Sequence, residues 1–182
     1  MNALEGEANF WTGNKTLDTS QGVGLRGGDP VAMQKAGFGK VGIKGKYVGK
    51  YEGVKVYENG RIGLGVGEAS GGLTLPPDKI LVGKGAYSLL GKGNKKVADL
   101  FRHEFGHILQ SRQPFVGLDG FYKVIAPASI KSAATSTYVE HNAFWTETWA
   151  NHLSNEYFGG TFNAISAYPT SPLSLNNFLK FF

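Results

Sequence analysis

Apolar residues repeat along this chain with two different periods, and the change falls near Asn94. Before it, the runs GVKVYE, RIGLGVG and KILVGKGAYSLL are short and β-type, and ENG and LPPD separate them with turn chemistry. They predict a small twisted sheet within residues 40–93. After Asn94 the apolar spacing becomes three and four, which predicts one helix over 94–112, a connection bearing Pro and Gly, and a second helix over 138–158. Residues 1–39 are rich in Gly, Asn and Asp around RGGDP and read as a lead-in of loop with one or two short elements. The expected organisation is this lead-in followed by a single domain over 40–182, with a sheet lobe at 40–93 and a helical lobe at 94–182. The expected class is α+β, a small mixed sheet followed by helices. The run GLGVG, Gly63 to Gly67, lacks the lysine and the following helix of a phosphate-binding loop and reads as a Gly-rich strand or bulge.

At about 100° per residue, the first helix sorts its side chains into three stripes. Val97, Ala98, Phe101, Phe105, Ile108 and Leu109 form one arc, the expected core face. Lys95, Asp99, Arg102 and Gly106 fall opposite, toward solvent in this reading. His103 and His107 share a third stripe beside Leu100, with Glu104 at its border with the core face.

That third stripe carries the chemistry. Residues four apart on a helix stack at about 5–6 Å between Cβ atoms, so two imidazoles can reach one ion at about 2.0–2.1 Å. A glutamate directly after the first histidine projects to the edge of such a site without being a ligand, where it can take a proton from activated water and later deliver it to a leaving amine. The plain alternative is a pair of partly buried histidines hydrogen-bonded to neighbours.

A catalytic zinc usually has three protein ligands, so a third is expected. HILQSRQPF supplies neither the Gly nor the further His of a close ligand pattern, so the third must come from farther away. In YVEHNAFWTETWANHLSNEYF, Glu140, Ala143, Glu147, Ala150, Asn151 and Ser154 form a stripe of small or polar residues that lets another helix come close. Glu147 is the favoured ligand because Asn151, one turn on, can accept the spare N–H of a metal-bound histidine. Glu140 competes from the same stripe, while His141 and His152 point away from it. His141 or Tyr138 can instead steady a developing oxyanion, with a surface or packing role as the alternative. Trp145 and Trp149 lie on the other side of this helix and are expected in the core.

Composition narrows the chemistry. With 182 residues, 41% of them hydrophobic, the chain can bury one core, and with no cysteine only His, Asp and Glu remain as strong metal ligands. No apolar run reaches membrane-span length, and MNALEGEANF has neither the basic segment nor the apolar run of a secretory signal. The net charge of +5 is scattered, and Lys40, Lys44, Lys46, Lys50 and Lys55 interleave with Val, Ile and Tyr as on strands with one wet face. No nucleic-acid partner is expected.

HEFGH followed by TETWAN resembles the gluzincin arrangement of zinc metallopeptidases. More closely, RHEFGHILQSR, then YKVIAPASIKSAATS, then FWTETWAN, resembles metallopeptidase domains at the C-termini of RHS-repeat and other polymorphic toxins, over about residues 94–155. The resemblance implies a zincin-like fold, a Zn2+ ion held by His103, His107 and Glu147, and Glu104 as catalytic base. EANFWTG near the start is similar to the linker after an RHS core, which implies the detached tip of a larger secreted protein, delivered to a target cell, acting on a protein or peptide, and matched by a cognate immunity protein. APAS departs from the more hydrophobic, Pro-rich middle segment of those domains. Two other functions stay open: a zinc hydrolase of a non-peptide bond, and a module that holds metal without turnover.

Overall fold

The computed structural model describes residues 45–60, 62, 71–160 and 168–181. The lead-in over 1–39, the GLGVG run and all of RIGLGVG except Ile62 lie outside the described residues. The described chain is a mixed α+β structure in which a four-stranded sheet packs against helices.

Strands β1 (Lys46–Tyr51) and β2 (Val54–Glu58) form an antiparallel pair, as do β3 (Gly72–Leu75) and β4 (Lys79–Val82). The parallel contact of β2 with β4 joins the pairs in the order β1-β2-β4-β3, so β3 lies at one end of that order. Side chains alternate across the sheet with period two. Val54, Val56, Ile80 and Val82 enter one core with Val97, Phe101, Phe105 and Ile108; Leu75 and Leu81 enter a second with Phe121, Ile125, Trp149 and Phe178. β4 is central and covered on both faces, which is why Ile80, Leu81 and Val82 are apolar in succession after Lys79.

The apolar continuation after β4 is not strand. Ala86–Gly91 forms helix α1, so AYSLL in the KILVGKGAYSLL run is helical. Gly83–Gly85 ends the strand first, and Gly85 holds a left-handed φ of 87° that opens the helix.

Helix α2 (Lys95–Ser111) matches the expected first helix within a residue at each end. Its cap is local: the Asn94 side chain accepts from the Val97 N–H at 3.2 Å. Its expected solvent face is largely wrong. Lys95 is exposed, but Asp99 is 0% and Arg102 8% exposed, and Gly106 is buried. The reason is a second covering layer. Helix α6 (Trp145–Phe158) packs against α2, Arg102 donates to the Gly160 carbonyl at 2.7 Å, and its guanidinium lies 5.1 Å from the Phe158 ring centroid.

The segment between the two long helices is itself helical. Helix α3 (Gly117–Gly120) passes through one wide π-helical turn, Phe121–Ile125, into α4 (Ala126–Thr135). The expected second helix is two: α5 (Tyr138–Asn142), opened by a Thr137/Glu140 capping box, and α6 (Trp145–Phe158), with Ala143 and Phe144 between them. Helix α7 (Leu175–Phe178) closes the second core by placing Phe178 against Phe115 and Trp149. No helix among the described residues is long and apolar enough to cross a membrane.

Candidate metal centre

Small residues let α2 and α6 approach closely enough for their polar stripes to meet. A Cβ on Gly106 would stand 2.7 Å from the Ala150 carbonyl carbon and nearer still to its oxygen, so only glycine fits there. Ala150 and Ser154 on the facing helix are fully buried.

Across this contact His103, His107 and Glu147 converge. Glu147 Oε2 lies 3.3 Å from His103 Nε2 and 3.1 Å from His107 Nε2, and all three donor atoms fall within 4.8 Å of one another. Ligands of a tetrahedral ion at 2.0–2.1 Å stand about 3.3 Å apart, so the two separations from Glu147 suit one metal ion. Two imidazoles and a carboxylate are also the donor types of a three-ligand metal site.

A layer of hydrogen bonds aims each donor. His103 Nδ1 donates to Asn151 Oδ1 at 2.7 Å, and Asn151 Nδ2 donates to the Pro169 carbonyl at 2.9 Å, which fixes the amide's orientation. His107 Nδ1 donates to Gln110 Oε1 at 2.8 Å, and Gln110 Nε2 donates to the Thr146 carbonyl at 2.7 Å. Both rings therefore carry their proton on Nδ1 and can turn the Nε2 lone pair to a metal. Ser129 and Thr146 hydroxyls each donate to Glu147 Oε1 at 2.6 Å, leaving Oε2 for the centre.

Without metal, His107 and Glu147 form a charged pair. Burial alone would depress His107, but the Glu147 charge and hydrogen bond outweigh it and lift the ring to about 9. Burial opposes the Glu147 carboxylate too, yet His107 and His103 hold it well below the usual range. A metal ion would replace the His107 proton with a larger positive charge at the same place.

Glu104 borders the centre, 4% exposed, with Oε2 accepting from Thr74 Oγ1 at 2.6 Å. It shares a cavity of about 260 Å³ with His103, His107, Glu147, Tyr138 and His141, and Leu73, Phe121 and Ile130 help make the walls largely apolar. His141 does not point away as the continuous-helix reading has it. The break at Ala143–Phe144 turns α5 so that His141 Nε2 stands 3.9 Å from Glu147 Oε2, while its Nδ1 lies 3.2 Å from Ser132 Oγ. Burial first, and the neighbouring His103 and His107, keep this ring below its ordinary pKa despite Glu147. Tyr138 lines the same cavity although it is 63% exposed.

The remaining candidates separate from the site. Glu140 is exposed and spends its carboxylate on Thr137, and His152 lies 3.4 Å from Glu156 on the α6 surface. Trp149 is core, and Trp145 is partly buried against the same cluster. Pattern reading missed Gln110, Ser129, Thr146, Thr74 and Tyr168, whose ring centroid lies 5.4 Å from that of His103. Burial pushes the Tyr168 phenol well above its ordinary pKa, aided by Tyr138 and Glu104, so it is neutral near pH 7. Only Gln110, one turn after His107, was within reach of helical spacing.

Comparison with protein-family models, curated proteins and solved structures finds no match to this chain.

Proposed function

We propose that this chain is a zinc-dependent peptidase of zincin-like architecture, the toxin tip of a larger secreted protein. The observation that carries the enzymatic part is the meeting of His103, His107 and Glu147 donor atoms in one cavity with the Glu104 carboxylate. When bound, zinc would polarise the substrate carbonyl and acidify water. His103, His107 and Glu147 would hold it, with Asn151 and Gln110 keeping both rings in the coordinating tautomer. Glu104 takes the proton of the attacking water and returns it to the departing amine, completing hydrolysis without a covalent enzyme intermediate. Tyr138 and His141, on the α5 side of the cavity, serve the developing oxyanion. An extended substrate would run beside β3, whose residues Gly72–Leu75 line the cavity. The delivery route and a cognate immunity protein rest on the resemblance of the ordered motifs and of EANFWTG to the C-terminal regions of polymorphic toxins.

One observation favours a second reading. His141 Nε2 is close enough to the centre that a small movement of α5 would make it a fourth ligand, as in a module that holds metal without turnover. The test is hydrolysis of a fluorescently labelled unfolded protein by the zinc-loaded chain beside Glu104→Gln. Release of new N-termini by the wild type, with turnover down by at least about 100-fold in a variant that keeps its zinc, is expected. Undiminished turnover in the variant removes Glu104 as the base. No cleavage by the zinc-loaded wild type favours the metal-holding module or a non-peptide substrate.

A further inference from the structure

The geometry points to Thr74 as the residue that positions Glu104 for its work, in a notch that Gly72 leaves open. The inference rests on Glu104 acting as the base.

Residues 72 and 74 lie two apart on β3, so they present to the same side of the strand, here toward α2. Thr74 Oγ1 lies 2.6 Å from Glu104 Oε2 and 2.8 Å from the Glu104 backbone carbonyl. A hydroxyl has a single proton to donate, and both acceptors within its reach belong to Glu104. Donated to Oε2, the nearer acceptor, that proton holds the carboxylate beside its own helix turn. Threonine's branched Cβ restricts χ1, so the hydroxyl keeps that aim.

Gly72 supplies the space. A Cβ there would stand 2.6 Å from Glu104 Cγ and closer still to the carboxyl group. Any side chain at 72 would therefore push the carboxylate out of its seat. β3 thus offers a gap at one position and a hydroxyl two residues on, and the Glu104 side chain fits between them. A glutamate has three rotatable bonds and the cavity beside it is open, so burial alone would not select this orientation. A misplacement near 1 Å at a reacting group can reduce rate by about 100-fold, which sets the scale of what Thr74 contributes.

The experiment compares zinc-loaded full-length wild type, Thr74→Val, Thr74→Ser and Gly72→Ala by steady-state kinetics, zinc content and crystal structure. Thr74→Val is expected to keep its zinc and its KM within about twofold while kcat falls about 30- to 100-fold, and Thr74→Ser to recover most of the loss. Gly72→Ala should lower kcat with zinc retained. In the crystal structures, the Glu104 carboxylate should stay within hydrogen-bond distance of residue 74 in the wild type and the serine variant, and move in the valine variant. Unchanged kcat in Thr74→Val overturns the inference, as does a loss that merely parallels lost zinc. If the wild type cleaves no peptide, the peptidase reading falls separately and the crystal structures still decide. A carboxylate unmoved in Thr74→Val then overturns the positioning role, and a displaced one upholds it.

Discussion

Gly106→Ala tests whether the close approach of α2 and α6 sets the metal-ligand spacing. The new methyl would meet the Ala150 carbonyl carbon at 2.7 Å and its Cα at 3.1 Å, where ordinary carbon contacts need about 3.5 Å or more. Relief at the carbonyl carbon requires the helices to part by roughly 0.8 Å. His103 and His107 are on one helix and Glu147 on the other, so their 3.3 and 3.1 Å separations would open toward about 4 Å. A tetrahedral ion at ordinary bond lengths cannot span that gap without strain. Overpacking of this kind costs about 1–3 kcal/mol, against which alanine's better helix propensity returns up to about 1 kcal/mol. The larger effect should fall on zinc, with affinity at least about tenfold weaker, a loss of about 1.4 kcal/mol or more. Competition against a chromophoric chelator reads the affinity, and thermal unfolding with and without zinc reads the coupling. Gly91→Ala is the control, because a Cβ there meets nothing within 4 Å. Zinc affinity of Gly106→Ala within twofold of the wild type, with an unchanged midpoint, would refute the argument.

Two further outcomes follow from the surroundings of the centre. His107 is raised in the metal-free fold from its ordinary 6.5 to about 9, so its stabilisation is fully present below pH 6.5 and lost as pH rises through 9. The Glu147 contribution has the opposite sign, present above its ordinary carboxylate range and lost as pH falls through its depressed value. Urea unfolding of the metal-free protein should therefore weaken by up to about 3 kcal/mol between pH 6.5 and 9.5. The zinc-loaded protein should lack this alkaline loss, because coordination replaces the proton; equal slopes for both forms would contradict that. Gln110→Ala removes the acceptor of His107 Nδ1–H, and isothermal titration should find zinc bound about 10- to 100-fold more weakly, an unchanged affinity arguing against the tautomer role.

Periodicity made α2 legible almost to the residue, because a strong apolar arc and an Asn cap agree there. The stripe holding His103 and His107, and the small-residue stripe holding Glu147 and Asn151, were legible for the same reason, since 3.6-residue spacing determines which side chains share a face. The opposite face of α2 was not. A helical wheel identifies polar residues but not whether other chain covers them, and Asp99, Arg102 and Gly106 are buried, Gly106 against Ala150 and Arg102 against Phe158 of α6. The orientation of His141 was hidden by the break after Asn142, which no proline or glycine marks. AYSLL was a short apolar run, for which strand and helix cannot be separated by pattern alone. Thr74 and Gly72 reach Glu104 from 30 residues or so away in sequence, through sheet packing that local pattern does not encode.

The central claim is that His103, His107 and Glu147 together hold a zinc ion. Metal content by mass spectrometry on the purified wild type, His103→Ala and Glu147→Ala tests it most directly. The account predicts about one zinc per wild-type chain, lost or strongly reduced in both variants. No metal in the wild type after incubation with zinc, zinc retained in both variants, or iron in its place would contradict it.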